Sequence, residues 1–234
     1  MKDLAVIETI LRNRYHFFSE IRDGAGLQEK TRAMLVSSIA FLALYGAVMG
    51  STHSLWQALS SAAKLPILFL ATLIVCSPTL YFFNVLFGSN QSLTQNVVLI
   101  LTAITVTSVL LLSFSPIILF FLLTTSHYQF FKLLNVGVFT IAGGMGVVFL
   151  SQGMRVVSMS GRGDGRDTRA RSRSWVLRLW ILVYGFVGSQ MAWTLRPFIG
   201  APSIRFELFR QLGGNFYANV LVSLAEVLGF AVVK

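Results

Sequence analysis

The chain has 234 residues, of which 55% are hydrophobic and 12% charged, with a formal net charge of +10. A soluble domain carries roughly 25% charged residues, so this composition excludes a water-soluble globule. Its 20 Phe, four Trp and six Tyr exclude a disordered chain, and the lone Cys76 excludes an intramolecular disulfide framework. What remains is an integral membrane protein, and helices that satisfy their own backbone make the expected fold all-α.

Residues 1–32 hold eleven charges of mixed sign and lack the short apolar core of a secretory signal, so the N-terminus is expected to be retained. Leu4, Ile7, Leu11, Phe18 and Ile21 recur at helical spacing among those charges, which predicts an amphipathic helix over residues 1–23. Four basic and four acidic residues in it cancel, so packing on the ends of the spans is expected rather than attraction to anionic lipid.

A span needs roughly 20 apolar residues. The pattern predicts spans at 33–50, 65–87, 97–123, 133–154 and 175–195, with a sixth at 216–233 that either crosses or lies in the interface, together forming a 33–234 transmembrane domain. Pro78 and Pro116 remove a helix donor each and predict kinks in the second and third spans. Lys64 and Lys132 fall in connecting loops on this reading.

Orientation follows the basic residues, which stay on the cytoplasmic side. Six occur in residues 1–32, and six more (Arg155, Arg162, Arg166, Arg169, Arg171, Arg173) in the segment 155–174, read as a loop; four spans between them return the chain to the same side. That predicts a cytoplasmic N-terminus. The arginines from Arg162 to Arg173 can grip anionic lipid headgroups, whereas nucleic acid is disfavoured because no aromatic residue interleaves them.

No Asp or Glu occurs between Lys30 and Gly163, so the first four spans offer no carboxylate for proton or sodium coupling or for a hard metal ion. The three histidines, His16, His53 and His127, are scattered; a His53–His127 pair would be a weak metal site. No nucleophile elbow, zinc or phosphate-loop pattern is present. The expectation is a protein that is not an enzyme and holds no cofactor or metal.

Polar residues inside the spans are the remaining leads. Thr102, Thr105, Ser108 and Ser115 lie close to one helical face, where hydroxyls either line a pore, bond a neighbouring helix or bond back to their own backbone. Ala142 with Gly146, Gly185 with Ser189, and Gly188 with Ala192 form small-xxx-small pairs, predicting that the fourth and fifth spans are the closest-packed surfaces, within one subunit or between subunits. Trp175 and Trp193, about 27 Å apart on a helix, suit the two interfaces. Arg196 follows at the outer boundary, where it can snorkel, bond a helix end or ring a pore mouth. Glu226, the one acid in a candidate span, could pair with Arg178, Arg196 or Arg210.

The blocks SPTLYFFN (77–84), HYQFFKLLNV (127–136) and GSQMAWTLRPFIG (188–200) resemble an uncharacterised family of bacterial, notably cyanobacterial, multi-span membrane proteins. The resemblance covers most of the chain and implies an inner or thylakoid membrane; it implies no activity. Two functions are therefore expected in competition. One is an oligomeric channel or passive transport component, with the third-span hydroxyls and Arg196 near the route. The other is a structural or assembly subunit of a larger membrane complex.

Overall fold

The computed structural model describes residues 2–51, 54–86, 91–125, 127–158, 166–199 and 215–228. Its elements are all helices: α1 (Lys2–Arg12), α2 (Arg14–Arg22), α3 (Leu27–Gly50), α4 (Leu55–Leu86), α5 (Leu93–Thr124), α6 (Tyr128–Ser158), α7 (Arg166–Leu195) and α8 (Phe216–Val227). Four of them, α3 to α6, are long and apolar enough to cross a membrane. The expected fifth span corresponds to α7, which is not among those four. The expected sixth corresponds to α8, 12 residues long; residues 229–233 of that expectation lie outside the described residues.

The helices overrun the expected spans because their ends continue into polar sequence that tertiary contacts support. Lys64, read as loop, lies inside α4 and is 4% exposed, its ammonium 3.5 Å from the Pro197 carbonyl. Lys132, also read as loop, lies in the first turns of α6 and donates to Asn219 Oδ1 of α8 at 2.7 Å. Local signals set other boundaries: Ser92 and Gln95 form a reciprocal capping box at the start of α5, and Asn215 caps α8. Helices α4 and α5 run through Pro66, Pro78 and Pro116 without a break. Ser115 donates to the Leu112 carbonyl at 2.7 Å, the acceptor that Pro116 leaves without its N–H.

At the N-terminus the single expected helix is two, divided at Asn13. The break turns the apolar face, so that Ile7, Ile10, Phe17, Phe18 and Ile21 are buried while Leu11, expected on that face, is 48% exposed; the side chain of Leu4 lies outside the described residues. Helix α1 packs on α3, and α2 on α6 and α5. The Gln95 amide fixes the join by donating 3.0 Å bonds to the Ile21 and Arg22 carbonyls. Gly24 and Gly26, both at positive φ, make the turn into α3. The charges of this region pair locally, Arg12 with Glu8 at 2.7 Å and the half-buried Lys30 with Glu20 at 3.3 Å; an exposed pair such as the first contributes under about 1 kcal/mol.

The bundle is built on α3, which packs against both α4 and α5, and on the α5–α6 pair; α7 lies against α4, and α8 against α6 and more lightly α7. The α3–α4 contact is the closest. A Cβ at Gly46 would collide with the Ser61 carbonyl, and one at Gly50 would sit 2.5 Å from the Gln57 carbonyl. These two glycines form a GxxxG motif, a signal present in the sequence that the small-residue reading passed over.

Candidate functional site

The sequence places a candidate route along the α5 hydroxyls. Thr102, Thr105 and Ser108 are buried in the α3–α5–α6 core. Each bonds back along its own helix, to the carbonyls of Val98, Leu101 and Thr105 at 2.7–2.8 Å, as Ser115 does to Leu112. Thr105 also meets Ser38 of α3 at 3.0 Å. The stripe therefore serves helix packing: among the described residues it lines no passage through a single chain.

Two buried polar clusters hold the ends of α4. At the end shared with the start of α5, the Asn84 amide donates to Asn96 Oδ1 at 3.1 Å and Gln91 Oε1 at 3.4 Å, and Asn96 Nδ2 donates to the Ser77 carbonyl at 3.3 Å. At the other end, Gln57 Nε2 donates to the Pro197 carbonyl at 2.9 Å and the Ser61 hydroxyl to the Phe198 carbonyl at 2.6 Å. Together with Lys64, these groups clamp the segment after α7 onto α4. Arg196 begins that segment, with Cζ 3.5 Å from the Trp193 ring centroid, a cation–π geometry. Near this second cluster, Tyr45 of α3 donates to Asn135 Oδ1 of α6 at 3.0 Å.

The small-residue pairs divide between different neighbours. Ala142 and Gly146 face α5: a Cβ at Gly146 would run into the Thr107 hydroxyl, which donates to the Ala142 carbonyl at 3.3 Å. Gly188 faces Thr72 of α4 at ordinary contact distance, Ser189 meets the Tyr217 hydroxyl of α8 at 3.0 Å, and a Cβ at Gly185 would touch nothing within 4 Å. Ala192 is half-buried. Among the described residues the small faces of α6 and α7 thus meet different neighbours, α5 for the first and α4 and α8 for the second. The sequence shows which helices carry small residues; it does not show which neighbour each face meets.

Glu226 is exposed and makes no ion pair within 4 Å among the described residues; its field reaches Lys132 of α6 instead. Arg210 lies outside the described residues, as do His53 and Arg162. The backbone from Arg166 to Ser174 is the start of α7 rather than the expected loop.

Where α6 and α7 part, a small, partly enclosed crevice of about 60 Å³ opens over α5, lined among others by Phe69, Ile104, Gly143, Trp180 and Tyr184. Trp180 is the residue that sequence reasoning missed. It is 2% exposed, donates to the Cys76 carbonyl of α4 at 3.2 Å and lies 5.0 Å from the Tyr184 ring. Nothing in the local pattern separates it from the interfacial tryptophans, because its partner is a main-chain carbonyl on another helix. A second cleft of about 230 Å³, lined by Glu20, Glu29 and Lys30, lies between α1, α2 and the start of α3. Among the described residues no three His, Cys, Asp or Glu side chains gather as a metal site would need.

Compared with family models, curated proteins and solved structures, the chain matches none of them. Function must be argued from the chain's own geometry.

Proposed function

We propose that this chain is a non-enzymatic structural or assembly subunit of a bacterial inner-membrane or thylakoid complex. In this reading α7 is a fifth span, and the N-terminal helix pair and the arginine-rich segment before α7 are cytoplasmic. The basic residues of both regions support that orientation, and the antiparallel path of α3 to α6 is consistent with it. The family resemblance stated above supports the bacterial membrane.

The observation that carries the proposal is the outward ridge of α6. Gly46, Gly50, Gly146 and Gly153 each face another helix or its side chains at very short range. Gly137, Gly143, Gly144 and Gly185 instead stand open, a Cβ on any of them meeting nothing within 4 Å, and Gly137 and Gly144 share one face of α6 with the exposed Ile141 and Val148. A ridge this smooth, one helical face long, suits a partner's span at close range. The competing reading, an oligomeric channel, needs its axis between copies, since the α5 hydroxyls are spent inside one chain.

Extraction from the native membrane in mild detergent, followed by intact-complex mass measurement, tests this. A stoichiometric partner protein is expected, with recovery falling at least fivefold in Gly144→Leu while helicity stays unchanged. Recovery of the chain as a lone monomer overturns the reading. A homo-oligomer that passes ions after reconstitution replaces it with the channel.

A further inference from the structure

Counted over residues 1–23 the acids and bases cancel, but the break at Asn13 separates them in space. Residues 11–16, Leu-Arg-Asn-Arg-Tyr-His, are exposed positions in unbroken succession where α1 ends and α2 begins, with no acid among them. The acids flanking this stretch are engaged: Glu8 pairs with Arg12, Glu20 with Lys30 and His16, and Asp23 with Arg22. Arg14 makes no ion pair among the described residues. On either side of it Leu11 is 48% and Tyr15 73% exposed, whereas Ile10, Phe17, Phe18 and Ile21 are buried.

The slope of α2 carries this knuckle toward the lipid. At the far end of α2, the Ile21 and Arg22 carbonyls accept from the Gln95 amide, at the polar start of α5. One turn back, Phe18 reaches Leu99 and Gly153, both inside the apolar stretches of α5 and α6; its ring lies 2.6 Å from where a Gly153 Cβ would stand. Continued for another turn, that descent brings Arg14 and Tyr15 to the boundary between headgroups and hydrocarbon. An exposed tyrosine and leucine beside arginines suit that boundary, because the apolar bodies enter the lipid while the guanidinium stays at phosphate level. Two apolar side chains are too little for a protein interface, which buries about 800 Å² on each partner. We propose that the Leu11–His16 knuckle is a lipid contact: Arg14 holds the phosphate of an anionic phospholipid in the leaflet on the N-terminal side, and Leu11 and Tyr15 enter beside it. This surface is separate from the Gly137–Gly144 ridge and stands whether or not the assembly reading does.

The test uses the full chain in nanodiscs with a bimane probe on Asn13→Cys. The Asn13 side chain makes no capping bond, and the unsubstituted chain, whose Cys76 is 2% exposed, is the labelling blank. Two quenchers read the probe, phosphatidylcholine spin-labelled at its headgroup and acrylamide in the water. Adding phosphatidylglycerol to phosphatidylcholine discs is expected to raise headgroup quenching about twofold and to lower acrylamide quenching in step. Arg14→Gln should raise the phosphatidylglycerol content needed for half that response about fivefold, the worth of one basic residue at an anionic surface. Leu11→Ser with Tyr15→Ser should return the probe to acrylamide in every lipid. Arg22→Gln, at the other end of α2, should change neither reading. Circular dichroism checks each fold, and Arg14→Gln carries the test should the double variant not fold. The proposal is overturned by quenching indifferent to phosphatidylglycerol or by equal effects of Arg14→Gln and Arg22→Gln. Shielding seen only in native membrane vesicles also overturns it, and assigns the knuckle to a protein partner.

Discussion

The α3–α4 contact and the α6–α7 gap use the same residue to opposite ends. In the first, Gly46 and Gly50 bring two backbones together until no Cβ fits between them. In the second, Gly143 and Gly185 stand on helices that part, with nothing within 4 Å of where their Cβ atoms would be. Glycine on a span therefore permits close approach without causing it. What decides is the rest of the face. Helix α4 offers Ala58, Ser61 and Ala62 to the α3 glycines, whereas the sides of α6 and α7 that meet at the crevice carry bulky aromatic and branched residues such as Trp180, Tyr184 and Val147.

That contrast can be broken by substitution. The largest effect is expected at Gly46→Leu, which drives a side chain into the Ser61 main chain and should destabilise the bundle by about 3 kcal/mol or more. Gly137→Leu, the same change on open surface, should fall within about 0.5 kcal/mol of wild type. Unfolding in mixed micelles measures both, and equal losses would refute the distinction. Next comes Asn96→Leu, which strips the Asn84 amide of one acceptor and the Ser77 carbonyl of its donor; a loss of about 2 kcal/mol is expected in the same assay. The smallest is Tyr45→Phe, removing one bond to Asn135, for about 0.6 kcal/mol, the size measured for hydrogen bonds between membrane helices. A Tyr45→Phe loss exceeding that of Asn96→Leu would show that the α3–α6 bond, rather than the α4–α5 cluster, carries more of the bundle's polar stability.

Much of the architecture was legible. Hydropathy located the cores of α3 to α6, because a bilayer demands continuous apolar length and the chain has few ways to supply it. The helix ends were less legible. Lys64 reads as a boundary, and only the Pro197 carbonyl brought over from the end of α7 makes it a buried helical residue. Asn13 gave no sign of dividing the N-terminal helix, since the apolar spacing holds on both sides. The hydroxyls of α5 show what spacing leaves open. Their spacing reveals a polar face but not its neighbour, and the structure closes that face against α3 and their own backbone.

Sequence alone determined that the chain is helical and membrane-compatible, because hydrophobic length and the near absence of charge are properties of composition and order. It also held the Gly46–Gly50 motif and the basic clusters. Only the tertiary structure decided which glycines are filled and which are open, that Trp180 reaches the Cys76 carbonyl, and that Tyr184 faces a crevice. Each of these depends on which helix lies beside which, and in a bundle of similar apolar helices that pairing is fixed by shape and by a few buried hydrogen bonds between residues far apart in the chain.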